Sequence, residues 1–138
     1  MESIRTCVGA FLFRNGLILL GLRSHNRSSY PGVWDAIGGH AELGESLRDA
    51  LIRELNEEIQ VTPVDFVEMA TLPDLQPSIN GVVEYHIFLV TRWEGTGPAA
   101  QGDEHSEIRW FHVSDAITLD LAHPAYVGLL KGLVAAPG

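Results

Sequence analysis

The sequence predicts an α/β fold, a layered α/β/α sandwich on a mixed sheet, from three observations. Two apolar, β-prone segments flank Asn15-Gly16; a stretch bearing Gly38, Gly39 and Gly44 leads into a helix at Ser46; and a further helix follows Pro124. Strands with helices on both sides need a helical layer on each face of the sheet.

Ile4 to Phe13 and Leu17 to Leu22 read as a hairpin, because Asn-Gly between apolar runs suits the left-handed residues of a two-residue turn. Arg23 to Ser29 is polar and reads as a loop, and Tyr30-Pro31-Gly32 as a turn into a short strand near Trp34 to Ile37. The helix is expected from Ser46, its N-cap, to Ile59. Val64 to Leu72 and Val82 to Trp93 read as strands, with turn chemistry at Pro73, Pro77 and Asn80-Gly81. Glu94 to Ser106 is a glycine-bearing loop and Ile108 to Val113 a last short strand. A helical turn near Ser114 to Ile117 and a helix from about Pro124 to Val134 complete the pattern.

Length and composition narrow the function. The 138 residues suit one domain, 1–138, too short for a second catalytic module. A formal net charge of -9, with Lys131 the only lysine, argues against nucleic acid or an anionic membrane as partner. A homodimer is left open. The single cysteine, Cys7, excludes an internal disulfide and suits a reducing compartment. Neither a secretory signal nor a membrane-length apolar run is read, so a cytoplasmic location is expected.

The helix carries Glu54, Glu57 and Glu58. At about 100° per residue they fall on the stripe that Leu47, Ala50 and Leu51 mark as inward. Each partner of Glu54 is three or four residues away, a like-charge arrangement costing roughly 0.2–0.5 kcal/mol per pair. All three sit toward the C-terminal end, where the helix dipole disfavours negative charge. A divalent cation reverses both terms, and Mg2+ bridges carboxylates to phosphates in this way, with Mn2+ as a substitute. The competing reading is a solvated acidic face.

Gly39, five residues, Glu45, seven residues, Arg53-Glu54-Leu55, one residue, Glu57-Glu58, one residue and Gln60-Val61 resemble the box of the Nudix hydrolases, G-x5-E-x7-R-E-U-x-E-E-x-G-U, over residues 39–61. Every fixed position matches except Gln60, where the family has glycine. That site lies just past the helix, where left-handed backbone is common and a non-glycine residue costs about 1 kcal/mol. Gln60 is not a ligand position, so it bears on the following loop and leaves the metal site intact.

The resemblance implies the Nudix α/β/α fold and hydrolysis of a nucleoside diphosphate linked to another group, by attack of water at phosphorus. Glu54, Glu57, Glu58 and Gly39 are then the metal positions, and Glu57 or Glu58 the base, with no choice between them. Arg53 and Glu45 act behind them, Arg53 orienting a carboxylate with its fixed fork. A distant glutamate adds a ligand or the base in some relatives; Glu104 is the candidate, with Glu107 behind it, against a plain surface role. Gly38 and Gly39 allow close approach of metal or phosphate, or simply form a tight turn. Arg23 and Arg27 are candidates for phosphate contact, and Trp34, Tyr30 and Phe11 for base stacking, against solvated loop and core roles respectively. His40 and His105 lie nearest the site.

Three classes follow. The first is a metal-dependent hydrolase of a small-molecule nucleotide, with a nucleoside triphosphate the chosen substrate and nucleotide-pool sanitation its role; an ADP-ribose or sugar-nucleotide pyrophosphatase is the alternative, Pro77 standing near a position associated with the former. The second is an isopentenyl diphosphate isomerase, which Tyr30-Pro31-Gly32-Val33-Trp34-Asp35 and Gly39-His40 faintly resemble. Those enzymes use a cysteine near the glycine-rich stretch, whereas Cys7 lies in the first strand, which disfavours this class. The third is a non-catalytic nucleotide-binding domain, disfavoured by the three retained glutamates.

Overall fold

The computed structural model describes residues 4–25, 30–99 and 105–135. Asn15 (φ 53°) and Gly16 (φ 78°) both take left-handed backbone, as a two-residue hairpin turn requires. They fold β1 (Arg5–Arg14) back onto β2 (Leu17–Arg23). The single strand expected near Trp34 to Ile37 is instead two, β3 (Trp34–Asp35) on β2 and β4 (Ile37–His40) on β1. Between them the Ala36 amide donates to its neighbour's Asp35 Oδ1 at 2.8 Å, a side-chain bond that releases the backbone to change partner.

Helix α1 (Leu47–Ile59) starts where expected, with Ser46 Oγ accepting from the Asp49 amide at 3.1 Å. It ends on Gln60 at φ 61°, ψ 38°, the left-handed conformation for which the box uses glycine. The following loop accommodates that residue: Thr96 Oγ1 donates to Gln60 Oε1 at 3.0 Å, and the Gly97 amide to the Gln60 carbonyl at 3.0 Å.

The remaining elements are β5 (Thr62–Pro73), the short α2 (Pro77–Asn80), β6 (Val83–Glu94), β7 (His105–His112), α3 (Val113–Ala116) and α4 (Ala125–Ala135). β7 starts earlier than expected because a bulge at Leu22/Arg23 lets Arg23 pair with His105. The sheet is mixed: β6 runs parallel to β1, and the other pairings are antiparallel. β2 takes the Leu12–Arg14 end of β1 and β4 the Cys7–Ala10 end. The sheet therefore divides along one edge of β1, and the site lies there.

Alternation along the strands supplies two cores. Val8, Ala10, Leu12 and Leu19 pack with Ala50, Leu51, Leu55 and Ile59 of α1. Phe11, Ile18 and Leu20 face the other way, onto Val113, Ala116, Tyr126 and Leu130. This is the expected sandwich. Full burial of a side chain such as Leu55 contributes about 1.5–3 kcal/mol, and this packing anchors the helix that carries the acidic cluster. Among the described residues, no helix is long and apolar enough to cross a membrane.

Candidate active site

Arg53 organises the acidic end of the site. Its Nε and one terminal nitrogen reach Glu45 at 2.9 Å each, and that same nitrogen donates to the His40 carbonyl at 3.0 Å. The other terminal nitrogen reaches Glu54 at 2.9 Å and Glu57 at 3.3 Å. One guanidinium thus spans β4, the helix entry and two helix carboxylates, using the planar fork that lysine lacks. Its hydrogen bonds hold the Glu45 carboxyl down at about 2, and Glu45 in return raises the Arg53 pKa.

The three helix glutamates do not share one environment. Glu54 is buried, the Glu58 side chain is 12% exposed and the Glu57 side chain is 57% exposed. The inward stripe extrapolated from Leu47 and Leu51 misplaces Glu57 because Leu55 and Ile59 are also fully buried. They rotate the centre of the buried face toward Glu58 and leave Glu57 roughly 110° away from it. Glu58 instead approaches His105 Nδ1, at 3.9 Å, from the start of β7.

Gly38 and Gly39 lie in a strand and not in a turn. A Cβ on Gly38 would stand 1.9 Å from the Val8 carbonyl oxygen, and one on Gly39 2.6 Å from Glu54 Oε2. No side chain fits at Gly38, where the clash is with backbone; at Gly39 a Cβ would displace the end of the Glu54 side chain, so bare backbone lies against that buried carboxylate. Glu54, Glu57, Glu58 and the Gly39 carbonyl carry hard oxygens of the kind Mg2+ takes. Among the described residues no three such side chains already converge on one point; Arg53 engages Glu54 and Glu57, and Glu57 lies toward solvent. The donor chemistry and the Gly39 approach nevertheless fit a divalent ion.

A cavity of about 280 Å3 adjoins this end. Gly38, Gly39, His40 and His105 line it on the box side, and Arg23, Asp35 and Tyr126 line it as well. Asp35 Oδ1 accepts from the Tyr126 hydroxyl at 2.7 Å, and Oδ2 lies 3.4 Å from Arg23. Burial raises the Asp35 pKa, against the lowering effect of Tyr126 and Arg23, and burial likewise raises that of Tyr126. Arg23 Nε also donates to the Tyr30 carbonyl at 3.0 Å, so this arginine lines the cavity and is not a solvated loop residue.

Other candidates fall elsewhere. Trp34 packs edge-on against Phe111 at 4.9 Å, outside the cavity lining, and Phe11 packs against Tyr126 at 5.1 Å in the core. Glu107 is paired with Arg109 at 2.8 Å. Glu104 and Arg27 lie outside the described residues. Cys7, set aside for its place in the first strand, is registered opposite His40, with Sγ 3.1 Å from the ring Nδ1, and it lines the cavity. Strand pairing brings to the glycine-rich stretch a thiol that sequence distance had kept away. Asp35 and Tyr126 went unrecognised because 91 residues separate them and no spacing links them.

These features define a class: an α/β sandwich in which a glycine-flanked acidic helix adjoins a polar cavity. The NUDIX domain model matches residues 3–132. CTP pyrophosphohydrolase of Escherichia coli is 34% identical over 131 residues, 93% of this chain and 90% of that protein. The solution structure of the E. coli ORF135 protein superposes with a TM-score of 0.75 at 31% identity, covering 96% of this chain and 90% of the other. Isopentenyl-diphosphate Delta-isomerase of Leifsonia xyli is 37% identical over 105 residues, 70% of this chain but only 55% of that enzyme. The chain belongs to the Nudix family, as a Nudix-type pyrophosphohydrolase. Nudix hydrolases generally need divalent metal ions and bind small nucleotide substrates.

Proposed function

We propose that the chain is a Mg2+-dependent hydrolase that cleaves a phosphoanhydride of a nucleoside triphosphate. The observation that carries this reading is the continuity of the cavity with the box: Gly39 and His40, at the start of the box, line it together with Asp35 and Tyr126. Phosphates then lie at the acidic end and the nucleoside in the cavity. The E. coli relative named for CTP supports a triphosphate. We place the reaction in the cytoplasm, on the nucleotide pool.

Phosphoryl chemistry needs charge neutralisation, alignment and an activated water more than covalent work by side chains. Glu54, Glu57, Glu58 and the Gly39 carbonyl would hold Mg2+, which would supply positive charge to phosphate oxygens and make a bound water more acidic. Arg53 fixes Glu54 and Glu57 and ties the helix to β4 through the His40 carbonyl. Glu57 or Glu58 takes the water's proton. Arg23 is positioned toward the substrate by Tyr30 and Asp35.

The test is a panel of nucleoside triphosphates, sugar nucleotides, ADP-ribose and dinucleoside polyphosphates with Mg2+ or Mn2+. Pyrophosphate or phosphate release from triphosphates supports the reading; inactivity across the panel replaces it with a nucleotide-binding role. Isopentenyl diphosphate belongs in the same panel, because the Cys7–His40 contact favours the isomerase as the second reading.

A further inference from the structure

Behind the cavity wall, at the end of β5, stands Asp74, a buried carboxylate that does not itself line the cavity. The Tyr30 hydroxyl donates to its Oδ1, Asn80 Nδ2 donates to its Oδ2 at 2.8 Å, and the Tyr85 hydroxyl stands 3.4 Å from Oδ1. All three donors line the cavity. They come from separate parts of the chain: the approach to β3, the α2 turn, and β6.

Neighbouring bonds bind the same corner. The Arg5 guanidinium donates to the Asn80 carbonyl, and His123 Nε2 stands 3.0 Å from the Pro73 carbonyl oxygen, joining the approach to α4 to the end of β5. A buried carboxylate is costly unless its acceptor capacity is used, and here it is used by side chains whose other faces meet the cavity. Burial alone would push the Asp74 carboxyl up; the Tyr30 and Asn80 bonds reverse this and hold it below its ordinary value. The Tyr30 phenol, pushed up to about 12 by burial and by Asp74, stays a donor at neutral pH.

We propose that Asp74 is a positioning residue for nucleoside binding, holding Tyr30, Asn80 and Tyr85 as one wall of the cavity without touching the ligand. This rests on the cavity being the nucleoside end of a nucleotide site. Because the bonds that hold this wall run to Asp74 and not to Glu54, Glu57 or Glu58, Asp74 governs affinity for the nucleoside part and leaves the phosphate end unaltered.

The experiment measures kcat and KM for the best triphosphate, with inorganic tripolyphosphate as a competing ligand that has no nucleoside. Asp74→Ala is expected to raise KM about tenfold, the equivalent of one lost hydrogen bond, with kcat within about threefold and the tripolyphosphate inhibition constant unchanged. Asp74→Asn recovers much of the affinity, because its carboxamide oxygen still accepts from the two phenols and the Asn80 amide can turn its oxygen to the new NH2. An unchanged KM in Asp74→Ala, or a tripolyphosphate constant that rises in step with KM, overturns the assignment. If Asp74→Ala fails to fold, Tyr30→Phe decides: KM raised about threefold supports the proposal, and unchanged KM overturns it. Wild-type protein that hydrolyses no nucleotide overturns the hydrolase reading itself, an outcome distinct from either.

Discussion

The two ends of the site handle buried negative charge in opposite ways. At the acidic end, Glu45, Glu54 and Glu57 share one cation, Arg53, which lies within eight residues of each in the chain. Around the cavity, Asp35 and Asp74 are held largely by neutral donors: Tyr126 and Tyr30 reach them from 91 and 44 residues away, while Asn80 is a near neighbour of Asp74 in the chain. The local arrangement leaves a signature in sequence spacing, and the long-range one leaves none. Chemistry shared by a family can be written in one helix, while recognition is assembled by tertiary packing.

The comparison breaks most visibly at the helix carboxylates. Glu58→Gln and Glu57→Gln are each expected to lower kcat/KM by about 10²–10⁴-fold in a pyrophosphate-release assay. Their melting temperatures should stay within about 3 °C of wild type, since each change also removes like-charge repulsion along the helix. A collapse in stability would give these residues a structural role instead.

Arg53→Ala comes next, and acts on both stability and activity. It strands the buried Glu54 beside Glu45 without a counter-charge, a loss of about 2–4 kcal/mol that thermal denaturation reads as a melting point lower by about 7–14 °C. Arg53→Lys should recover little of this, because an ammonium cannot bridge Glu45, Glu54 and the His40 carbonyl together.

A smaller effect follows from acidity. The folded Glu45 pKa of about 2 lies below its ordinary 4.5, so between these values the unfolded chain binds more protons. Its contribution to stability is complete above pH 4.5 and is lost as pH falls toward about 2. Melting temperatures recorded across that window should fall less steeply in Glu45→Gln than in wild type; parallel curves would place the linkage elsewhere.

The smallest expected change is at Gln60. Gln60→Gly relieves left-handed strain but forfeits the Thr96 bond, so stability should rise by at most about 1 kcal/mol, measured by urea denaturation. A loss would mean that the loop after the helix depends on the glutamine side chain more than on its backbone.

Most of the fold was legible because its punctuation is local. Asn15-Gly16 dictates the hairpin, Ser46 caps the helix, and β-strand alternation sorts Phe11 from Ala10 and Leu12. The division of Trp34 to Ile37 was not legible, because it depends on an Asp35 side chain capturing the next amide. The helix projection placed Glu54 and Glu58 inward but misjudged Glu57, since Leu47 and Leu51 alone do not locate the centre of a face that Leu55 and Ile59 complete. Trp34 resembled a stacking residue and packs on Phe111, whereas Asp35, its neighbour, reaches the cavity.

The inward glutamates are, above all, held to be a divalent-ion site. The most direct measurement is anomalous diffraction from crystals soaked in Mn2+ with a non-hydrolysable triphosphate. An ion is expected against Glu54 and Glu58, with Glu57 turned toward it from solvent and the phosphates beside Gly39. Phosphate bound with no ion at these carboxylates, or an ion held elsewhere, would contradict it.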